Sequence, residues 1–139
     1  MYSSKIKDCT LIQFPKNHQI NGNLTSITGG QEVPFVIKRL YYLYDVPGGE
    51  GRGGHAHKEL HQIMVALSGS FTVTLNDGVN KQSYYLNQPY QGLLIPPGLW
   101  RDLNNFSSGS ICMVLASEVY DEQDYFRDYD KFIEWKSLK

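Results

Sequence analysis

The chain has 139 residues, a formal net charge of −1 and two cysteines, Cys9 and Cys112. This length suits a single domain, residues 1–139, that buries a core without disulfide or metal cross-links. The balanced charge supplies no basic field for a polyanion, so we expect no nucleic-acid partner, although one pyrophosphate could still be bound by one or two arginines.

Targeting signals are not evident in the sequence. The N-terminus lacks the apolar core of a signal peptide, and no apolar run approaches the roughly 18 residues that a membrane-spanning helix needs. We therefore expect a cytoplasmic protein without a membrane segment.

Short β-rich runs, separated by glycine and proline, make up most of the chain. In chain order they are residues 9–14, 24–27, 35–46, 62–67, 71–75, 83–86, 92–95 and 111–116. Many short strands joined by turns are typical of a sandwich or barrel. Residues 71–75 alternate apolar with polar side chains, and Asn76-Asp77-Gly78 then predicts a tight hairpin turn.

The pattern changes after Val119. An acidic segment, residues 120–124, leads into apolar and aromatic residues at three- and four-residue intervals: Tyr125, Phe126, Tyr129, Phe132, Ile133 and Trp135. Carboxylates suit a helix N-terminus and lysines suit its C-terminus. The sequence thus predicts one terminal helix that begins in this acidic segment and packs against the barrel.

A glycine-rich segment carries the strongest functional motif. Its features are Gly49, the H-x-H pair His55 and His57, Gln62, and Gly69. This spacing resembles the first signature of the cupin superfamily, and Pro96-x-Gly98 with Arg101 and Asn105 resembles the second. The resemblance implies an all-β cupin jelly-roll barrel, to which the C-terminal helix would be added.

Two positions depart from the metal-binding cupins. These proteins hold their ion with two histidines and a glutamate of the first signature and a histidine of the second, where this chain has Gln62 and Arg101. A neutral amide is a weak ligand, and a guanidinium cannot coordinate a cation. We therefore predict that no metal is bound, although a remnant metal site that includes His61 is an alternative.

His55 and His57 are the candidate proton carriers. Side chains two residues apart on a strand point to the same face, so both imidazoles can enter one pocket. Histidine has an unperturbed pKa near 6.5 and can accept and donate protons at neutral pH. The alternative is a polar pair that only satisfies its own hydrogen bonds, and the sequence does not tell which ring would serve which carbon.

Three blocks of sequence suggest a closer relationship. They are Pro34-Phe35-x-Ile37-Lys38-Arg39-x-Tyr41-Tyr42, Arg52-Gly53-x-His55-x-His57-Lys58 and Leu115-Ala116-Ser117-x-x-Tyr120-Asp121-Glu122-x-Asp124-Tyr125. Occurring together in this order, they resemble the dTDP-4-keto-6-deoxyglucose 3,4-ketoisomerases, a cupin family.

The resemblance implies a homodimer with exchanged N-terminal strands that acts without a cofactor on a dTDP-linked keto-deoxysugar. The product would be a dTDP-3-keto-6-deoxyhexose, formed through an enediol by acid and base catalysis. An aminotransferase would then make a 3-amino-3,6-dideoxy sugar for a bacterial surface glycan, in lipopolysaccharide or an S-layer.

Donors near the sugar oxygens would stabilise the enediolate. Tyr41 is predicted as a third catalytic residue, and the predicted substrate-binding residues are Arg39, Arg52, Gln62 and Arg101. Arg39 and Tyr41 share a face of the predicted strand 35–46, and we assign that face to the ligand. The alternatives are that Arg39 lies at the rim above a core Tyr41, and that Arg52 is a surface arginine of the glycine-rich loop.

The sequence is also compatible with other functions. A nucleotide-sugar epimerase would use the same proton abstraction, a metal-dependent cupin would need other ligands, and a noncatalytic sugar-binding cupin would not need paired bases. The C4 configuration of the product and the preference for thymidine are also not decided by the residues.

Overall fold

The computed structural model describes residues 4–138, which form two facing β-sheets, a small hairpin and a C-terminal helix. The elements are β1 (Thr10–Gln13), β2 (Asn17–Gln19), β3 (Gly22–Leu24), β4 (Arg39–Leu43), β5 (Arg52–His57), β6 (Gln62–Ser68), β7 (Phe71–Asn76), β8 (Lys81–Leu86), β9 (Gln91–Ile95), β10 (Trp100–Asn104), β11 (Ile111–Ala116), β12 (Tyr125–Phe126) and α1 (Tyr129–Ser137).

The strand order is that of a jelly roll. One five-stranded sheet runs β1-β9-β6-β11-β4, the other runs β12-β5-β10-β7-β8, and β2 and β3 pair only with each other. Neighbouring strands are antiparallel throughout the two large sheets. The predicted all-β barrel with a short C-terminal helix is confirmed.

Alternating side chains of the strands fill the space between the sheets. On β7, Phe71, Val73 and Leu75 are fully buried while the residues between them are partly exposed. The predicted hairpin follows, because β7 pairs with β8 and the Asp77 carboxylate accepts hydrogen bonds from the backbone of Val79 and Asn80. This apolar packing fills most of the space between the sheets, and the buried side chains of His57, Gln62 and Arg101 lie in the same interior.

Separate apolar clusters cover the outer faces of the sheets. Phe14 and Val33 pack with Ile63, Val65 and other residues outside the first sheet. On the second sheet, Phe132 of α1 packs against Ala56 and Trp100. Ala56 lies between the two histidines of β5, so the helix supports the strand that carries them.

Several predicted strands differ in extent from the observed ones. The predicted strand 35–46 is reduced to Arg39–Leu43, and only residue 24 of the predicted strand 24–27 belongs to a strand. The sequence analysis did not predict β2, β10 and β12 as strands. Arg52 is the first residue of β5 and not part of a preceding loop.

The predicted start of the terminal helix is wrong. Helix α1 begins at Tyr129, capped by the Asp128 carboxylate, which accepts hydrogen bonds from the Asp130 and Lys131 backbone. The acidic segment instead forms a single 3-10 turn, Glu122–Asp124, followed by β12, which pairs with β5. Within residues 4–138, no helix has the length and apolar character needed to cross a membrane.

Candidate active site

The two histidines of β5 point into the interior, toward its buried polar side chains. The His55 and His57 rings meet edge to face with their centroids 4.9 Å apart, and His57 is 1% exposed. The Tyr125 ring lies against both, 5.1 Å from the His55 ring and 4.3 Å from the His57 ring. Pairing of β12 with β5 brings Tyr125 to this position, since it sets Tyr125 directly opposite His57.

The Asp124 carboxylate contacts Nδ1 of the His57 ring. Its Oδ2 lies 3.0 Å from His57 Nδ1, while its Oδ1 accepts a hydrogen bond of 2.8 Å from the Glu59 backbone N–H. Burial, reinforced by the positive charge of Arg101, holds the pKa of His57 below its usual value. The His57 imidazole is therefore neutral at neutral pH and is able to accept a proton.

A buried hydrogen-bond network faces the histidines from both sheets. Arg101 Nη1 donates to Gln62 Oε1, and Gln62 Nε2 donates to the Tyr41 hydroxyl oxygen over 3.0 Å. Because a guanidinium can only donate, the Gln62 oxygen must face Arg101 and its amide nitrogen must face Tyr41. The Tyr41 hydroxyl thus accepts one bond and keeps its own hydrogen for another partner.

The strand register brings these residues to the same interior. Arg101 lies opposite His55 in the β10–β5 ladder, and directly opposite residues point to the same face of a sheet. In the other sheet, Ala116 lies opposite both Arg39 and Gln62, and Tyr41 is two residues beyond Arg39 on the same face. The predicted common face of Arg39 and Tyr41 is confirmed.

The interior carries positive charge without a matching carboxylate. Arg101 is completely buried, and within residues 4–138 it forms no salt bridge. Burial lowers the pKa of Arg101 to about 10, and burial raises the pKa of Tyr41. The Arg39 guanidinium lies 5.1 Å from the Tyr41 ring centroid and 5.5 Å from that of Tyr120. Buried cations of this kind are costly unless an anionic group is present to offset them.

A cavity of about 190 Å³ opens beside the histidine pair. Arg39, His57 and Tyr125 line it, together with Glu59, Leu60, Glu118, Val119, Asp121 and Asp124. Its mouth is acidic while its inner wall carries the arginine and the imidazole. The cavity therefore gives access to the ring of His57 from outside the barrel.

Six of the seven predicted site residues converge on this interior: His55, His57, Tyr41, Arg39, Gln62 and Arg101. The exception is Arg52, which is exposed and lines a different groove with Thr74 and Asp102. Asp124 and Tyr125 were not predicted as site residues, because the acidic and aromatic pattern around them predicts a helix, although both belong to the third sequence block. Residues 4–138 contain no group of three His, Cys, Asp or Glu side chains that could hold a metal ion.

Comparisons with known proteins agree on one group of relatives. A family model described as FdtA, WxcM-like, C-terminal, matches residues 7–137. The TDP-4-oxo-6-deoxy-alpha-D-glucose-3,4-oxoisomerase of Aneurinibacillus thermoaerophilus is 46% identical over 122 residues, which are 88% of this chain and 88% of the relative.

Solved structures of sugar 3,4-ketoisomerases also match this chain. A histidine-to-asparagine mutant of the 3,4-ketoisomerase QdtA from Thermoanaerobacterium thermosaccharolyticum, in complex with TDP-4-keto-6-deoxyglucose, is 38% identical with a TM-score of 0.95, covering 97% of this chain and 98% of that chain. The WlaRB TDP-quinovose 3,4-ketoisomerase from Campylobacter jejuni is 42% identical with a TM-score of 0.88, covering 93% of this chain and 99% of that chain.

Proposed function

Because this chain belongs to the FdtA family, described as WxcM-like, C-terminal, and is a TDP-sugar 3,4-ketoisomerase, we propose that His55 and His57 carry the protons of its reaction. The resemblance inferred from the three sequence blocks is thereby confirmed. The substrate is TDP-4-keto-6-deoxyglucose and the product is its 3-keto isomer. The observation that carries the proposal is the pair of adjacent imidazoles, His57 buried and His55 partly buried, that face Arg101, Gln62 and Tyr41.

The reaction moves a carbonyl by proton transfer alone. A base removes the hydrogen on C3, which is acidic because C4 carries the carbonyl, and the electrons form an enediolate with negative charge on O4. Protonation of C4 and transfer of the O3 hydrogen to O4 then leave the carbonyl at C3 and a hydroxyl at C4. The His57 imidazole is neutral and can accept the first proton, and the His55 ring, whose centroid lies 4.9 Å away, is close enough to serve the adjacent carbon.

The enediolate is stabilised by donors that are already in position. The Tyr41 hydroxyl has a hydrogen to donate, since its oxygen already accepts from Gln62. Arg101 polarises Gln62 and supplies positive charge in a dry interior, where charge acts more strongly than in water. Arg39 adds a second cation beside Tyr41. The developing anion thus offsets the cost of burying Arg101.

The cavity accommodates only part of the substrate. Its volume of about 190 Å³ is below the ~300–1,000 Å³ typical of pockets for whole ligands, so it suits the sugar ring and not the nucleotide. The thymidine diphosphate would lie outside, within reach of exposed cations. Arg52 remains a predicted substrate-binding residue, and we propose that it contacts the pyrophosphate from the groove that it lines with Gly54 and Asp102.

We propose that no metal or cofactor takes part. Acid and base catalysis is sufficient for this isomerisation, and Arg101 would repel a cation from the histidine pair. Elemental analysis of the purified protein tests this proposal, and a stoichiometric transition metal would contradict it.

We also propose that the chain forms a homodimer with exchanged N-terminal strands. The β2–β3 hairpin is exposed along its whole length, with Ile20 fully exposed and Leu24 61% exposed. On the edge strand β4, Leu40 and Tyr42 also face outward. Burial of these apolar side chains by a second copy would remove an aggregation-prone surface. Light scattering of the purified protein should give twice the chain mass, and Ile20→Asp should reduce it.

The proposed location is the cytoplasm, and the proposed next step is transamination at C3. A ketone can be converted to an amine, so an aminotransferase is the class of enzyme that would consume the product for a bacterial surface glycan.

Product analysis by NMR tests the proposed function. The protein is incubated with TDP-4-keto-6-deoxyglucose in D₂O, and the position of the carbonyl and the configuration at C4 are read from the spectrum. The proposal requires that the carbonyl move to C3 with deuterium at C4. A carbonyl that stays at C4 with exchange at a neighbouring carbon would indicate an epimerase, and an unchanged substrate would indicate a binding protein.

A further inference from the structure

We propose that Asp124 is a positioning residue that holds the His57 ring in the tautomer with hydrogen on Nδ1, so that Nε2 faces the reaction as the proton acceptor. This inference rests on the proposed function, because it specifies how one of the two proton carriers is prepared. It concerns a residue that is separated from His57 by 67 positions in the sequence.

The contact between Asp124 and His57 determines which ring nitrogen carries the hydrogen. Asp124 Oδ2 lies 3.0 Å from His57 Nδ1, and an ionised carboxylate only accepts hydrogen bonds. His57 Nδ1 must therefore carry the hydrogen. In a neutral imidazole the other nitrogen, Nε2, then has the lone pair, and within residues 4–138 this buried atom has no hydrogen-bond partner.

Backbone hydrogen bonds fix the position of Asp124. Glu59 N–H donates to Asp124 Oδ1 over 2.8 Å, and Lys58 N–H donates to the Asp124 carbonyl oxygen over 3.0 Å. Tyr125, the next residue, lies opposite His57 in the β12–β5 pair. The carboxylate and the imidazole are thus held by the same pair of strands and cannot easily move apart.

The groups around His57 differ in whether they favour or oppose its protonated form. The titratable and charged groups that face it are His55 on its own strand, Arg39 on β4, Arg101 on β10, and Asp124, Tyr125 and Arg127 from the segment after β11. Burial and the three arginines oppose the imidazolium. The Asp124 carboxylate in direct contact favours it, so Asp124 stabilises the charged ring that forms when Nε2 takes a proton.

The replacement Asp124→Asn should change the tautomer of His57 without disturbing the fold. The amide oxygen must stay at the Oδ1 position, because the Glu59 backbone N–H points at it. The amide nitrogen then faces His57 Nδ1 and donates to it, which forces the hydrogen onto Nε2. The fold keeps its backbone hydrogen bonds, while the proton acceptor becomes blocked.

Two measurements test the proposal, one of them independent of catalysis. Nitrogen-15 NMR of the histidine rings should show the Nδ1–H tautomer for His57 in the unaltered protein and the Nε2–H tautomer in Asp124→Asn. Steady-state kinetics should show kcat reduced about 100-fold with KM changed by less than about threefold. The acidic limb of kcat/KM should also move to lower pH, since the carboxylate that favours the imidazolium has been removed.

Asp128→Asn is the matched control. Asp128 lies four residues further along the same segment and caps α1, and asparagine caps a helix about as well as aspartate. This variant should keep the activity, the pH profile and the His57 tautomer.

An Nε2–H tautomer of His57 in the unaltered protein would overturn the proposal, as would an Asp124→Asn variant with unchanged kcat and pH profile. A loss of activity equal in Asp124→Asn and Asp128→Asn would also overturn it, because it would point to the fold of the segment. If the unaltered protein did not isomerise the sugar, the proposed function would fail, yet the nitrogen spectra would still decide the role of Asp124.

Discussion

At the scale of single residues, Gln62 links the two halves of the site. Its oxygen accepts from Arg101 in one sheet and its amide nitrogen donates to Tyr41 in the other. In metal-binding cupins the corresponding residue is a glutamate, so the exchange of a carboxylate for an amide changes more than the affinity for a cation. It determines that the Tyr41 oxygen receives a hydrogen bond and that the Tyr41 hydrogen is available to the substrate.

Gln62→Glu should therefore impair the reaction although it conserves the shape of the side chain. A carboxylate would accept from both Arg101 and the Tyr41 hydroxyl, and the hydrogen would no longer be donated to the enediolate. We expect kcat to fall about 100-fold, as for loss of one oxyanion donor. Gln82→Glu, at an exposed position near the start of β8, is the matched control and should retain full activity. An active Gln62→Glu variant would remove Tyr41 from its proposed role.

At the scale of elements, the ease of prediction followed the strength of the local pattern. Strand β7 alternates apolar and polar residues and ends in a turn with Gly78 at φ +92°, and both features were predictable from local sequence. Strand β10 was not predicted, because its buried positions include the charged residue Arg101, so that apolar and polar residues do not alternate along Trp100–Asn104 although burial does. Its place in the sheet is decided by tertiary packing.

The segment after β11 shows where sequence reasoning about the site failed. Acidic residues before aromatic ones resemble a helix N-terminus, yet Asp124 accepts from the Glu59 backbone and Tyr125 pairs with His57. Both partners lie more than sixty residues away, so no local pattern could reveal them. The available signal was the third sequence block itself, which contains Asp124 and Tyr125 beside the strand that ends at Ala116.

The packing of α1 supports the strand of the histidines. Phe132 is fully buried between Ala56 and Trp100. Phe132→Ala should lower the free energy of unfolding by about 3–5 kcal/mol, because it leaves a cavity behind β5. Urea denaturation followed by tryptophan fluorescence measures this change. Leu138→Ala, at a 75% exposed position, should change it by less than about 0.5 kcal/mol, and a similar small effect of Phe132→Ala would show that α1 is not needed to support β5.

At the scale of the whole molecule, burial of His57 links stability to pH. Burial lowers its pKa in the folded state, so below the unfolded value near 6.5 the unfolded chain binds the proton that the folded chain excludes. The stabilising contribution is present above pH 6.5 and is lost as the pH falls. His61, whose pKa is also lowered by burial, contributes with the same sign.

The free energy of unfolding should therefore fall between pH 7.5 and 5.5, by at most about 1.4 kcal/mol per pH unit for each proton. Urea denaturation at both pH values measures the fall. His57→Gln removes the group and should make the pH dependence shallower. An equal slope in the variant and the unaltered protein would show that folding does not lower the pKa of His57.

The central claim is that the neighbouring imidazoles of His55 and His57 transfer the proton, and it is tested most directly by the rate at which TDP-4-keto-6-deoxyglucose is converted by His55→Asn and His57→Asn. Proton NMR follows the conversion, and His61→Asn, whose ring lies beside Phe35, is the control. We predict that each of the first two variants loses at least about 100-fold in turnover while it still binds the nucleotide sugar, and that His61→Asn is unaffected. Turnover within a few-fold of the unaltered protein in both His55→Asn and His57→Asn would contradict the account.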